Sequence, residues 1–358
     1  MKPPVLGVTM GDAAGVGPEI IARAAAEPAV RAACRPVVIG AAATMREALA
    51  LIGSPLSLHA VPRVADCRWA DATLEVLDLA NVDMATLPRR EVSAAAGRAA
   101  YEYIERAVAL AQTGEIDAIV TAPVNKEALA AAGVRHSGHT EILAELSHTR
   151  DFAMLLMGKE LKVIHVTTHV ALRRVPDLVT RERVLKTIRL AQKTLVDLGQ
   201  PHGRIAVAGL NPHAGEEGLF GDEEQHHIVP AIEAARADGL NVTGPLPADT
   251  LFSRARGGEF DIVVAMYHDQ GHIPVKTLGF EYDETTKKWT GLSGVNVTVG
   301  LPFLRVSVDH GTAFDRAWKG IANHESMVEA LDIATRMIAS AAGPARSAGG
   351  PLEKGVAP

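Results

Sequence analysis

Three times along this chain a short β-branched, apolar run gives way to polar residues and a histidine. Ile262-Val263-Val264-Ala265-Met266 leads into Tyr267-His268-Asp269-Gln270-Gly271, Leu161–Thr167 leads to His169, and Arg204–Leu210 leads to His213. Runs of this length and composition suit parallel strands buried on both faces. Such strands need crossover helices to cover them, which confines the chain to α/β architectures. In open α/β sheets, ligands bind where the carboxyl ends of strands meet loops and helix N-termini. One strand-end histidine is more often an ordinary loop residue. Repetition changes the weighting: His169, His213 and His268 could converge on one ion, with Asp269 beside them.

The rest of the chain repeats the alternation. Val5–Met10, Pro36–Gly40, Thr73–Leu79, Asp117–Val124 and Phe152–Met157 read as strands, and Ile20–Ala33, Thr44–Ile52, Ser93–Thr113, Thr180–Leu198 and Gln225–Ala237 as helices. A parallel sheet is expected. Gly11-Asp12-Ala13-Ala14-Gly15-Val16-Gly17-Pro18-Glu19 links the first strand to a helix, but it is neither a Walker A loop nor a full GxGxxG. As a phosphate cradle it is weak, and a tight turn that packs a helix is at least as good a reading. Glu281–Leu292 reads as an exposed hydrophilic loop or insertion, Gly294–Val308 as a strand pattern, and the Gly/Pro/Ala-rich Ala341–Pro358 as a disordered tail. With 358 residues, 47% of them hydrophobic, two lobes are the expectation. Residues 1–125 with 300–340 would form one lobe, and 126–299 the other.

Charge and cysteine content remove several classes of function. The net charge is −6 and no Lys/Arg block interleaves with aromatic residues, which argues against nucleic acid and anionic membranes as partners. Cys34 and Cys67 form no CxxC or zinc-knuckle pattern and suggest a reducing compartment. No apolar stretch has the length of a signal peptide's core or a membrane helix, so a cytoplasmic protein is expected.

Two further stretches suggest chemistry. Ser137-Gly138-His139-Thr140-Glu141 precedes a helix and offers N–H groups, a hydroxyl and a titratable ring together, which suits a phosphate or hydroxyl; helix capping by Thr140 is the competing reading. Lys126 follows a strand as a candidate anion contact, although exposed lysines are commonplace. Asp249, one turn before Leu251-Phe252, reads as a cap or a fourth ligand. Three histidines alone would also allow a zinc hydrolase, but there is no HExxH.

Taken together and in order, His139-Thr140, TTHVALR, GLNPHAGE, PLPADT, MYHDQG, Lys276, GVNVTVGLPFLR and SVDHGTAFD resemble the 4-hydroxythreonine-4-phosphate dehydrogenase family of pyridoxal phosphate biosynthesis. The resemblance covers roughly residues 5–340. It implies an isocitrate/isopropylmalate dehydrogenase-like fold, two α/β/α lobes around a central cleft, working as a homodimer with sites shared between chains. His169, His213 and His268 match that family's divalent-metal ligands (Zn, Co, Mg or Mn), and His139, Thr140, Lys276, Asn296 and Arg305 its substrate contacts. Asp249 matches an acidic residue beside the metal, and with Lys276 and Asp269 it completes the catalytic candidates. His310-Gly311-Thr312-Ala313-Phe314-Asp315, with Asn323 downstream, is similar to the adenosine-binding loop of β-decarboxylating dehydrogenases, which bind NAD or NADP without a Rossmann fingerprint.

The implied activity is metal-dependent oxidation of a phosphorylated hydroxy acid to a 3-keto acid, followed by decarboxylation. Three features depart from the family pattern: Ala13 in place of Pro, His272 in place of an apolar residue, and the Glu281–Leu292 insertion. These point towards the branch acting on 4-phospho-D-threonate or 4-phospho-D-erythronate rather than on 4-phosphohydroxy-L-threonine. A further relative oxidises unphosphorylated cis-dihydrodiol acids, against which Lys276 and Arg305 weigh.

Overall fold

The computed structural model describes residues 2–341 apart from 137, 159, 280, 286 and 291–293. The predicted tail beyond 341, and residues 286, 291 and 292 of the predicted insertion, lie outside the described residues. The fold is α/β, built on a large mixed sheet.

The first half of the chain runs β1 (Val5–Thr9), α1 (Gly17–Ala26), α2 (Pro28–Ala33), β2 (Arg35–Gly40), α3 (Ala42–Leu51), β3 (Ser57–Val61), β4 (Thr73–Asp78), α4 (Ala94–Gln112), β5 (Ala118–Thr121), α5 (Lys126–Ala131) and α6 (His139–Leu146). Then follow β6 (Ala153–Met157), β7 (Lys162–His165), α7 (Val175–Leu178), α8 (Arg181–Asp197), β8 (Ile205–Ala208), α9 (Val229–Ala237), β9 (Val242–Leu246), α10 (Ala248–Arg256), β10 (Ile262–Ala265) and α11 (His268–Gly279). A hairpin of β11 (Glu281–Asp283) and β12 (Lys288–Thr290) precedes β13 (Val295–Val299), β14 (Leu304–Val308) and α12 (Glu325–Ala341).

Twelve strands form one sheet in the order β3-β4-β2-β1-β5-β14-β13-β6-β7-β10-β8-β9. Strands read as apolar runs are buried along their whole length in β5, β8 and β10. Burial on both faces is what removes the polar alternation from their sequences.

Three expectations need correction. The sheet is not wholly parallel, because β6–β7, β13–β6 and β13–β14 pair antiparallel. Gly294–Val308 is not one strand but a hairpin turning at Gly300, whose φ of +103° and close approach to the Asp151 carbonyl exclude a side chain. The predicted helix Ile20–Ala33 breaks at Glu27, which is extended (ψ 125°) because it precedes Pro28. The edge strand β3 was not predicted, since its half-exposed Ser-Leu-His-Ala-Val lacks a clear period. Among the described residues, no helix is long and apolar enough to cross a membrane.

The glycine turn before α1 packs rather than cradles. Its Asp12, Gly15 and Val16 N–H groups donate to the carbonyls of Pro123, Asp12 and Thr312, and the Ala14 N–H donates to the Asp12 carboxylate. With those donors engaged, the turn's work is to hold the loop after β14 close to α1, which the bare Cα of Gly15 against Thr312 allows.

Candidate active site

A cavity of about 430 Å³ opens in the middle of the sheet, where the carboxyl ends of β5, β14 and β10 face α6 and α11. It is lined by Lys126 at the start of α5, His139, Thr140 and Glu141 on α6, His169 after β7, His268, His272 and Lys276 on α11, Asn296 on β13, and Arg305, Asp309, His310 and Gly311 on or after β14. Residues from distant parts of the chain meet there because central strands end on one edge.

The polar run after β10 is not a separate turn. α11 begins at His268 itself, so His268, His272 and Lys276 recur every fourth residue and share one helix face. Gln270 anchors that helix start: its Oε1 accepts from the Met266 N–H at 2.6 Å, and its Nε2 donates to the Gly209 carbonyl at 2.8 Å.

The β13–β14 hairpin supplies the cationic floor. Arg305 is 4% exposed and donates to the hydroxyls of Thr298 at 2.9 Å and Thr121 at 2.7 Å, while its Nε has no partner among the described residues. Burial pulls its guanidinium down, to about 9, with the Glu141 carboxylate acting in the opposite direction. Lys276 Nζ lies 3.0 Å from Asp309 Oδ2, and Asn296 Nδ2 donates to Asp309 Oδ1 at 2.6 Å. Asp309 was not singled out from the sequence, although it directly precedes the His310 loop. The cavity's cations, Lys126, Lys276 and Arg305, outnumber its carboxylates, Glu141 and Asp309, in a chain of net charge −6.

α6 brings its N-terminus to the same wall. Its N-cap is Gly138 without a side-chain bond, so Thr140 caps nothing and its side chain is left to the cavity. His139 Nε2 is buried without a partner among the described residues, and burial together with the Arg305 charge pulls this imidazole well below its ordinary range. An unpartnered buried donor or acceptor costs about 1–3 kcal/mol, which a ligand can offset.

Four imidazoles cluster where α11 meets β7. His169 and His268 lie with ring centroids 5.6 Å apart, His268 and His272 stack at 3.7 Å and 11°, and His272 reaches His165 on β7. Burial first, and the neighbouring imidazoles next, pull His165 down to about 3. His272 falls to about 4 through burial, His268 and Lys276. His169 is also lowered, chiefly by burial. Asp269 is exposed, and its carboxylate accepts from His268 Nδ1 at 2.7 Å, which fixes the ring and turns Nε2 away from it. It orients His268 and does not line the cavity.

His213 and Asp249 stand apart. His213 is 64% exposed on a left-handed turn in which His213, Ala214, Gly215, Glu216 and Glu217 all have positive φ. Its Nδ1 lies 3.2 Å from Glu216, and its ring meets Phe220 edge-on. Glu224 ties this turn to β8 by accepting from the Leu210 and Asn211 N–H groups and from Asn211 Nδ2. Asp249 is exposed in the first turn of α10, whose N-cap is Pro247. Among the described residues, no three His, Cys, Asp or Glu side chains of one chain converge on a metal position. The chemistry of His169 and His268 suits two positions of a divalent-ion site, and the predicted third ligand does not join them within the chain.

In the loop after β14, His310 and Gly311 reach the cavity rim while Thr312 is buried against the glycine turn and Ala313 is left-handed (φ 43°). Asn323 accepts from the Glu325 N–H at 2.8 Å and so starts α12.

Residues 32–334 match the family described as pyridoxal phosphate biosynthetic protein PdxA. The D-threonate 4-phosphate dehydrogenase of Cupriavidus necator is 52% identical over 338 residues, covering 93% of this chain and 98% of its own. That of Salmonella typhimurium is 49% identical, covering 94% and 100%. The structure of a 4-hydroxythreonine-4-phosphate dehydrogenase from Klebsiella pneumoniae matches with a TM-score of 0.83 at 48% identity, over 94% of this chain and 99% of the other. A terephthalate 1,2-cis-dihydrodiol dehydrogenase from Burkholderia xenovorans matches at 0.66 and 31%, over 94% and 98%. By the extent of these matches, the chain belongs to the PdxA family of pyridoxal phosphate biosynthetic proteins.

Proposed function

We propose that this protein is a dehydrogenase of a 4-phosphorylated hydroxy acid, with 4-phospho-D-threonate or its erythronate epimer favoured over 4-phosphohydroxy-L-threonine. The observation that carries the reading is the buried Arg305, two of whose donors are held by Thr298 and Thr121 while Nε has no partner among the described residues. A guanidinium in that position, beside His139 and Thr140, is matched to a doubly charged phosphate. The names of the two D-threonate 4-phosphate dehydrogenases it resembles agree with it.

In this reading Arg305, Thr140 and His139 bind the phosphate, and Lys276 and Asn296 face the acid end. The Lys276–Asp309 pair holds a proton at Nζ next to the carbon chain and can pass it to the product after carbon dioxide leaves. His169 and His268 would hold a divalent ion, with His268 oriented by Asp269, and His310, Gly311, Thr312, Ala313 and Asn323 would carry the adenosine end of NAD or NADP. When bound, the nicotinamide supplies the hydride acceptor and the ion supplies Lewis acidity at the oxidised hydroxyl. His213 and Asp249 would complete the site from a second chain of a homodimer.

Calorimetry with NAD on the metal-loaded protein tests the class. Binding that strengthens with a phosphorylated hydroxy acid is expected. Release of phosphate without any NAD binding would replace this reading with a metal hydrolase.

A further inference from the structure

His165 on β7 and His272 on the face of α11 packed against it meet as two buried imidazoles, with ring centroids 4.8 Å apart. Their bonding fixes which nitrogens carry hydrogen. His165 Nδ1 lies 3.1 Å from the Met154 carbonyl, which can only accept, so Nδ1–H donates and Nε2 is left with a lone pair. His272 Nδ1 lies 3.2 Å from that Nε2 and 3.1 Å from the His268 carbonyl. Both neighbours accept, so His272 also carries its hydrogen on Nδ1. The lone pair of His272 is thereby assigned to Nε2, which makes no hydrogen bond among the described residues, on a ring that lines the cavity one helical turn from Lys276.

The contact is built, not incidental. A Cβ on Gly271 would lie 2.4 Å from His165 Nε2 and 2.6 Å from Val163, so a residue without a side chain is what lets α11 approach β7 this closely. A satisfied histidine pair in the core would explain His165 alone. It does not account for a second imidazole on the cavity wall whose Nε2 lone pair makes no hydrogen bond among the described residues. Nor does the ring serve the ion that His268 would take: the two rings stack nearly parallel, at 3.7 Å and 11°, so their in-plane lone pairs run side by side instead of meeting.

We propose that His272 is a specificity-determining residue whose Nε2 accepts a hydrogen bond from the C2 hydroxyl of a 4-phosphorylated 2,3-dihydroxy acid, with His165 as the positioning residue that fixes its tautomer. The inference rests on the dehydrogenase reading above and names the substrate within it. A hydroxyl has one hydrogen to place and finds one neutral acceptor. An ammonium at the same carbon has three N–H groups and a charge, beside Lys276, Lys126 and Arg305. Of the two carboxylates on the cavity, Asp309 is already held by Asn296 and Lys276, and Glu141 faces Arg305.

The test compares 4-phospho-D-threonate with 4-phosphohydroxy-L-threonine on metal-loaded wild-type enzyme and on H272L, H272Q and H165L, recording kcat and KM separately together with bound metal. The expected result is a wild-type preference for the hydroxy acid. H272L lowers kcat/KM for it by about 10-fold while the amino acid changes less than about twofold, H272Q recovers part of the loss by offering an amide oxygen, and H165L falls between. Metal content stays level throughout. An equal loss on both substrates, or loss of metal in H272L, assigns the pair to structure or to the ion and overturns the proposal. A wild-type enzyme that prefers the hydroxy acid, with variants that keep the preference, overturns it while leaving the dehydrogenase reading intact. Wild-type inactivity on both compounds removes that reading and this one with it.

Discussion

Replacing Arg305 with Met probes the phosphate assignment with little disturbance to the core. Met approximates the length of the arginine stem, and exchanging a buried charge for an apolar side chain of similar size is often neutral or stabilising, so a stability change within about 1 kcal/mol is expected. The Thr298 and Thr121 hydroxyls each lose a donor but remain able to rotate. Binding should respond far more. One lost charge-assisted hydrogen bond to phosphate is worth about 1.5–3 kcal/mol, which at about 1.4 kcal/mol per factor of ten is roughly a 10- to 100-fold rise in KM. Initial rates against concentration, with the phosphorylated acid and its dephosphorylated analogue, separate this from a general loss of function. Urea melts of both proteins report on folding. A KM within about twofold of wild type, or equal losses on both compounds, would refute the argument that Arg305 holds the phosphate.

Other parts of the structure make their own predictions. Gly271→Ala should destabilise the protein by about 1–3 kcal/mol, because its Cβ would meet His165 and Val163 on a strand that cannot retreat; an unchanged urea midpoint would contradict the packing. Glu224→Ala strips the acceptor from two backbone N–H groups and an amide, and a loss of about 3 kcal/mol or more is expected from denaturant unfolding. Burial raises the Asp12 carboxyl to about 6 from 3.8, so the folded state keeps a proton that the unfolded state releases. Stability should therefore fall as pH rises from about 4 to 6 and stay low above, by up to about 3 kcal/mol, and Asp12→Asn should flatten that slope; thermal melts at pH 4 and pH 8 that shift equally in both proteins would count against it.

The buried strands were legible because complete burial leaves an uninterrupted apolar signature, and the edge strand β3 was not because half-exposure erases it. Histidines following strands marked the edge of the sheet where the cavity opens, and His169 and His268 lie near each other there. His213 does not, since a left-handed turn held by a glutamate eleven residues on has no local period to read. The fourfold spacing of His268, His272 and Lys276 was present in the sequence, but it becomes informative only once α11 is known to start at His268. Asp309 and His165 were missed for a different reason. Their roles come from partners far along the chain, Lys276 and Asn296 for one and His272 for the other, and pairing across a sheet is set by strand order.

The central claim is that this cavity selects a phosphorylated hydroxy acid for oxidation. The most direct measurement is the appearance of reduced nicotinamide with 4-phospho-D-threonate and with unphosphorylated D-threonate, side by side, at saturating NAD and divalent ion. The account predicts a kcat/KM at least about 100-fold greater for the phosphorylated acid, the worth of two charge-assisted contacts at the low end of their range. Equal rates on the two acids, or oxidation confined to an unphosphorylated diol acid, would contradict it.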